Sequence, residues 1–154
     1  MKRQHPLSSF LFCPRCGEAG LEHVHERAIH CTHCDLTYFH NVASSVACFV
    51  LDKDGQILTV RRGREPLEET GLRVQCMRYA FSIPNIYPYS GIDVYTADTF
   101  WVVRVESFEG AVAQDDAEEL VICSPEELRA EDFGLVSIRA SIERLLADRS
   151  VLDD

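Results

Sequence analysis

Short apolar runs separated by turn residues dominate the chain, and apolar residues at helical spacing appear near its C-terminal end. Val42–Leu51 is rich in small and β-branched residues and predicts a strand. Asp52-Lys53-Asp54-Gly55 predicts a tight turn, with Ile57–Arg62 as the returning strand. Leu72–Phe81 is strand-like. Ser82–Gly91, with two prolines, an asparagine and a glycine, predicts a loop. Ile92–Val105 is a long β-rich stretch that ends in Phe100-Trp101-Val102-Val103-Arg104-Val105. Leu120-Val121-Ile122 is a further short apolar run. Ser124 as N-cap, Pro125 at the first helical position and Glu127 closing a capping box predict a helix start. A final helix is expected over Gly134–Ala147, where Leu135, Ile138, Ile142, Leu145 and Leu146 form one apolar stripe for packing on a sheet.

The first 40 residues read differently. Strands are expected near Glu22–Ile29 and Leu36–His40, around two pairs of cysteines in a pattern. Cys13-Pro-Arg-Cys16-Gly is followed, after 14 residues, by Cys31-Thr-His-Cys34. Two thiolates spaced by two residues can both turn toward one ion, and two such knuckles close a tetrahedral four-sulfur site. Zinc is the expected ion. Filled by four cysteines, the site has no open position and would be structural rather than catalytic. The alternatives are four free thiols or two disulfides. His23, His25, His30 and His33 lie close in sequence and read as solvated knuckle or strand residues. The other cysteines, Cys48, Cys76 and Cys123, stand in apolar contexts and are expected in the core. The fold class is therefore α+β, with a zinc ribbon over 1–40 and a mixed sheet with few helices over 41–154.

Composition narrows the partners. The 154 residues are 46% hydrophobic and 26% charged, which suits a packed core rather than disorder. Lys and Arg number 15 against 25 Asp and Glu, a formal charge of −10. That balance argues against a general nucleic-acid binder. In residues 1–40 the charges cancel: Lys2, Arg3, Arg15 and Arg27 stand against Glu18, Glu22, Glu26 and Asp35. No apolar run approaches a membrane span, and no signal peptide is read at the start, so no membrane partner is expected. An odd cysteine count, seven, without such a signal points to the cytoplasm.

Arg61-Arg62-Gly63-Arg64-Glu65-Pro66-Leu67-Glu68-Glu69-Thr70-Gly71-Leu72 carries a resemblance. Here the chain resembles the Nudix hydrolases, in the subgroup with an N-terminal zinc ribbon. The cysteine knuckles, His40–Ala47, the loop Ser82–Gly91 and Asp115-Asp116-Ala117-Glu118-Glu119 extend the likeness over nearly the whole chain. The family box runs G-x5-E-x7-R-E-U-x-E-E-x-G-U, with U apolar. Leu67–Leu72 matches its end. Taken literally, the first Gly and first Glu of the box would fall on Val50 and Gln56, inside the expected hairpin, and Pro66 would interrupt the helix. The reading preferred here is that the glycine loop and most of the helix are missing between Pro66 and Leu67.

The resemblance implies a Mg²⁺- or Mn²⁺-dependent hydrolase that cleaves the pyrophosphate of a nucleoside diphosphate linked to another group, impaired in this chain. Glu68 and Glu69 are the box carboxylates that carry over as catalytic metal ligands. The alternative is a catalytically defective scaffold that binds a nucleotide or a protein partner. Asp115, Asp116, Glu118 and Glu119 read as a solvated acidic run, with a further ligand or base as the alternative. Arg61, Arg62 and Arg64 stand equally as phosphate contacts or as a solvated strand end. Tyr87, Tyr89 and Trp101 read as packing aromatics, with base stacking as the alternative. Ribbons of this kind can sit at dimer contacts, so the resemblance allows a homodimer, and the sequence leaves the oligomeric state open.

Overall fold

The structure, a computed structural model, describes residues 5–62, 72–112 and 117–153. It is mixed α+β, mostly sheet with one α-helix among the described residues. Among the described residues eight strands run in order: β1 (Leu21–His25), β2 (Ala28–Cys31), β3 (Thr37–Phe39), β4 (Ala43–Leu51), β5 (Ile57–Arg62), β6 (Val74–Tyr89), β7 (Ile92–Val105) and β8 (Ala117–Cys123). The helix α1 covers Val136–Ala147. The chain forms two compact units, Met1–Ser44 with Pro84–Ala97, and Ser45–Ile83 with Asp98–Asp154. Among the described residues no helix is long and apolar enough to cross a membrane.

In the first unit β1, β2 and β3 form an antiparallel sheet in that order. The expected single strand over Glu22–Ile29 is instead a hairpin that turns at Glu26-Arg27. Neither residue is a turn former, so the sequence carried no signal of the reversal. The segment before the first knuckle packs along this sheet. His5 stacks on His23 with ring centroids 3.9 Å apart, Phe10 stacks on Tyr38 at 6.0 Å, and Leu7 is buried. Tyr95, from the start of β7, lies under the Arg27 guanidinium at 5.2 Å and against the edge of His40.

The larger sheet has the order β6-β7-β4-β5-β8. Asp52 Oδ1 accepts the Asp54 and Gln56 N–H groups and shapes the turn between β4 and β5, as the sequence predicted. β8 pairs antiparallel with the outer side of β5, Ile57 opposite Cys123. The expected loop Ser82–Gly91 is strand as far as Tyr89. Pro84 and Pro88 fit there because β6 is an edge strand, where a missing N–H costs no ladder bond.

One face of this sheet meets α1. Phe100 lies between Phe49 and Phe81, with centroids 6.0 and 5.0 Å away, and Leu128, Ile142, Leu145 and Leu152 complete the core. The helix stripe is narrower than its sequence suggested. Leu135 is the N-cap and Leu146 is part-exposed, while Ser137 and Ser141 are buried. Small side chains at the contact let the helix approach closely, and the Ser141 hydroxyl is satisfied by Ile138 O at 2.7 Å. The other face holds a smaller cluster of Leu58, Val103, Val105 and Phe108.

Two arginines tie down the C-terminal 3-10 helix, Arg149–Leu152. Arg78 donates to the carbonyls of Val151 and Asp153, and Arg104 to that of Leu152. Ser124–Glu127 is a single turn rather than a helix start. Its capping contact is present, with the Ser124 N–H and hydroxyl donating to Glu127 Oε2 at 2.8 and 3.0 Å. Leu128 then drops into the core before a second helical turn can form. Cys48 and Cys76 are exposed and Cys123 is half-buried, so the expectation of three core cysteines is corrected. Apolar neighbours in sequence did not reveal which strand face each thiol takes.

Phe100→Ala should cost about 3–5 kcal/mol, because the cavity would sit between two rings that cannot close it. Urea unfolding of the full chain measures this, with the midpoint falling and the slope unchanged.

Candidate metal centre

The two knuckles have the same backbone design. In the first, Cys13 N donates to Glu18 O and Gly17 N donates to Cys13 O, both at 2.9 Å. In the second, Cys31 N donates to Leu36 O at 2.9 Å and Asp35 N to Cys31 O at 3.0 Å. Each turn closes on a residue with positive φ, Gly17 at 77° and Asp35 at 62°. Glycine takes that conformation freely, and aspartate is among the few side chains that tolerate it. Asp35 also faces His30 Nε2 at 3.5 Å.

Gly20 joins the knuckles. Its carbonyl accepts the Thr32 N–H at 3.0 Å and the Thr32 hydroxyl at 3.2 Å. Its φ is 124°, and a Cβ there would come within 2.7 Å of Thr32 Oγ1. Only glycine meets both demands. The sequence showed Gly20 as one glycine among eight, and nothing local marked its role.

The result is a cluster of four sulfurs, Cys13, Cys16, Cys31 and Cys34, all within 4.8 Å of one another. Cys13 Sγ lies 3.6 Å from Cys34 Sγ, and Cys16 Sγ lies 3.7 Å from Cys31 Sγ. A tetrahedral zinc with bonds of about 2.3 Å needs sulfurs about 3.8 Å apart. These separations fit that polyhedron, and they are far longer than the ~2.05 Å of a disulfide. The cluster can therefore hold a metal such as zinc. Cys13 and Cys31 are buried, Cys34 is half-buried and Cys16 is exposed.

The thiols do not ionise alike. Main-chain N–H groups of Cys16 and Arg15 point at the Cys13 sulfur, the latter at 3.4 Å, and outweigh burial to lower its pKa to about 6. Cys16 is pushed up to about 12. The hydrogen bond that links it to the Glu18 main chain is outweighed by lost hydration and by the neighbouring sulfurs of Cys13, Cys34 and Cys31. Cys34 is also raised: lost hydration and the sulfurs of Cys13 and Cys31 overcome the Leu36 main-chain hydrogen bond. One thiolate is thus welcome in this space and further ones repel it. A cation at the centre removes that repulsion.

The other residues singled out by sequence are not brought to this centre. Glu68 and Glu69 lie outside the described residues, as do Arg64, Asp115 and Asp116. Arg61 and Arg62 belong to β5 and Glu118 to β8 by their main chains, and Glu119 pairs with Arg61 across the β5–β8 ladder. Val50 pairs with Leu58, and Gln56 N–H donates to Asp52, so both stand in the β4–β5 hairpin. Tyr87 stacks on Tyr89 with centroids 6.1 Å apart, and Trp101 meets Tyr79 edge-on at 5.7 Å. Among the described residues, the four cysteines are the one group of three or more His, Cys, Asp or Glu side chains close enough to share an ion. Protein-family models and curated proteins were both searched, and neither comparison gives a match.

Metal uptake at pH 7 should release at least two protons, from Cys16 and Cys34, whose pKa values lie above neutrality in the free protein. Affinity should accordingly weaken as pH falls, by about a hundredfold per pH unit for two protons. Competition with a chromophoric chelator across pH 6–8 reads this slope. Gly20→Ala should strain the second knuckle and lower zinc affinity in the same assay, while Asp35→Gly should leave it unchanged or improve stability by up to about 1 kcal/mol.

Proposed function

We propose that this chain is a shortened Nudix-type protein with a structural zinc ribbon, whose activity is slow, Mg²⁺- or Mn²⁺-dependent hydrolysis of the pyrophosphate in a nucleoside diphosphate linked to another group. The observation that carries the reading is the segment Leu67-Glu68-Glu69-Thr70-Gly71-Leu72, which resembles the end of the family box and stands just before β6. The four-cysteine cluster ahead of the larger sheet is consistent with it. Residues 63–73 make the whole connection from β5, fourth in the sheet, to β6, first in the sheet. A helix of ordinary length, about 10–14 residues, would use nearly all of them. That shortage supports a box reduced to its last carboxylates.

In this reading Glu68 and Glu69 hold the divalent ion, a hard cation suited to oxygen ligands. The ion would supply charge neutralisation and an acidified water at phosphorus. Hydrolysis would break one P–O bond of the pyrophosphate and leave two phosphate monoesters. Two carboxylates make an incomplete ligand set, which is why turnover should be slow.

The positions of Val50 and Gln56 within the β4–β5 hairpin favour a second reading, a scaffold that binds nucleotide without turnover. It leaves the first Gly and first Glu of the box without counterparts. A panel of nucleoside diphosphate conjugates, assayed for monoester release in excess Mn²⁺, separates the two. The hydrolase reading expects slow release that falls at least tenfold in Glu68→Gln and in Glu69→Gln. Nucleotide binding without release would establish the scaffold reading. Release that both substitutions leave intact would remove Glu68 and Glu69 from the site.

A further inference from the structure

The four sulfurs of the ribbon are not equally guarded. Cys13 and Cys31 are buried, Cys34 is half-buried and Cys16 is exposed. Cys16 stands in a loop, residues 14–20, in which every residue is exposed. In the second knuckle Cys34 and Leu36 are both half-buried. Main-chain hydrogen bonds add to the contrast. The Cys13 sulfur accepts the Arg15 N–H at 3.4 Å and is also bonded to the main chain of Cys16, whereas the Cys16 sulfur is bonded to that of Glu18 alone. A hydrogen bond to a thiolate spreads its charge, and nucleophilicity falls with basicity.

A thiol that coordinates a metal is deprotonated outright, and the thiolate is the form that oxidants attack. With zinc bound, all four sulfurs meet that condition, and access from solvent decides which reacts. Access favours Cys16. Cys31 Sγ waits 3.7 Å from Cys16 Sγ, on the other knuckle. Closing that gap to the ~2.05 Å of a disulfide moves each sulfur by about 0.8 Å.

We propose that the ribbon is a peroxide-responsive zinc site, in which Cys16 is oxidised first, Cys31 closes on it as a disulfide and the zinc is released. The Cys16 thiolate attacks one peroxide oxygen: an S–O bond forms, the O–O bond breaks and hydroxide leaves. The Cys31 thiolate then attacks the Cys16 sulfur: the S–S bond forms, the S–O bond breaks and a second hydroxide leaves. Two electrons pass from the sulfur pair to one peroxide molecule. Cys13 and Cys34 remain, 3.6 Å apart, as half of the ligands that a closed tetrahedral site needs. The new disulfide ties one knuckle to the other, so the knuckles stay together without the metal. A dithiol reductant and zinc then restore the site.

The other exposed thiols are placed differently. Cys48 on β4 and Cys76 on β6 belong to the second unit and to no group of ligand side chains among the described residues. Their oxidation leaves the ribbon's ligands untouched. The inference rests on zinc at the four-cysteine cluster. It does not depend on the hydrolase reading or on Glu68 and Glu69.

The test treats the zinc-loaded full chain, carrying Cys48→Ser and Cys76→Ser, with hydrogen peroxide. A chromophoric chelator, at a level that leaves zinc in the untreated protein, reads the metal. Peptide mass mapping without reduction reads the disulfides. One zinc per chain should leave as the Cys16–Cys31 disulfide appears. Cys16→His keeps a nitrogen and sulfur ligand set for zinc and should slow the release by roughly tenfold or more. Zinc that stays bound in excess peroxide overturns the proposal, as does zinc loss with Cys16 still reduced. A zinc-loaded Cys16→His chain that releases its metal as fast as the parent also overturns it. If Cys16→His no longer holds zinc, the order of disulfides in the parent chain decides. Cys16–Cys31 as the first pair supports the proposal, and any other first pair overturns it.

Discussion

Four sulfurs within 4.8 Å of one another are a charge problem before they are a structure. Main-chain hydrogen bonds reach Cys13, Cys16 and Cys34, but only Cys13 is lowered; at Cys16 and Cys34 lost hydration and neighbouring sulfurs win. A divalent cation held at the centre would offset the remaining repulsion. The remainder of the ribbon serves this point: two identical turns, a positive-φ residue closing each, and Gly20 bonding one knuckle to the other. The ribbon sheet is only three short strands and buries few large side chains. A unit this small is expected to draw folding free energy from metal binding rather than from its core.

The second unit rests on a different kind of contact. Phe49, Phe81 and Phe100 come from β4, β6 and β7, and their rings meet on the face that α1 covers. The opposite face is closed by a cluster less than half that size. Among the described residues α1 packs on one face only, and that face holds the larger cluster. It also bears on the functional reading. The carboxylates that a Nudix-type site would use belong to the connection between β5 and β6, the stretch of this chain that the family resemblance marks as shortened.

Spacing made the metal centre legible. Paired cysteines with two residues between them turn toward one point in a knuckle, so the pattern specified the local backbone and the four clustered sulfurs together. The hairpin of β4 and β5 was legible for a related reason, because Asp52 and Gly55 encode the turn by their own side-chain chemistry. Strand β7 and helix α1 followed from periodicity, which reports a buried face without needing to know what buries it.

What periodicity and spacing could not determine was decided by contacts far apart in sequence. The prolines of Ser82–Gly91 read as a loop until the edge position of β6 made them harmless. Ser137 and Ser141, unremarkable along the chain, are buried on α1, while Leu146 of the apolar stripe stayed part-exposed. Gly20 acquired its role only when Thr32 was folded against it. Residue type and spacing determined the β4–β5 hairpin, β7, α1 and the four-cysteine cluster, because those depend on neighbours a few positions away. Faces, edges and close approaches belong to the tertiary structure, because each is set by which distant segment arrives beside it.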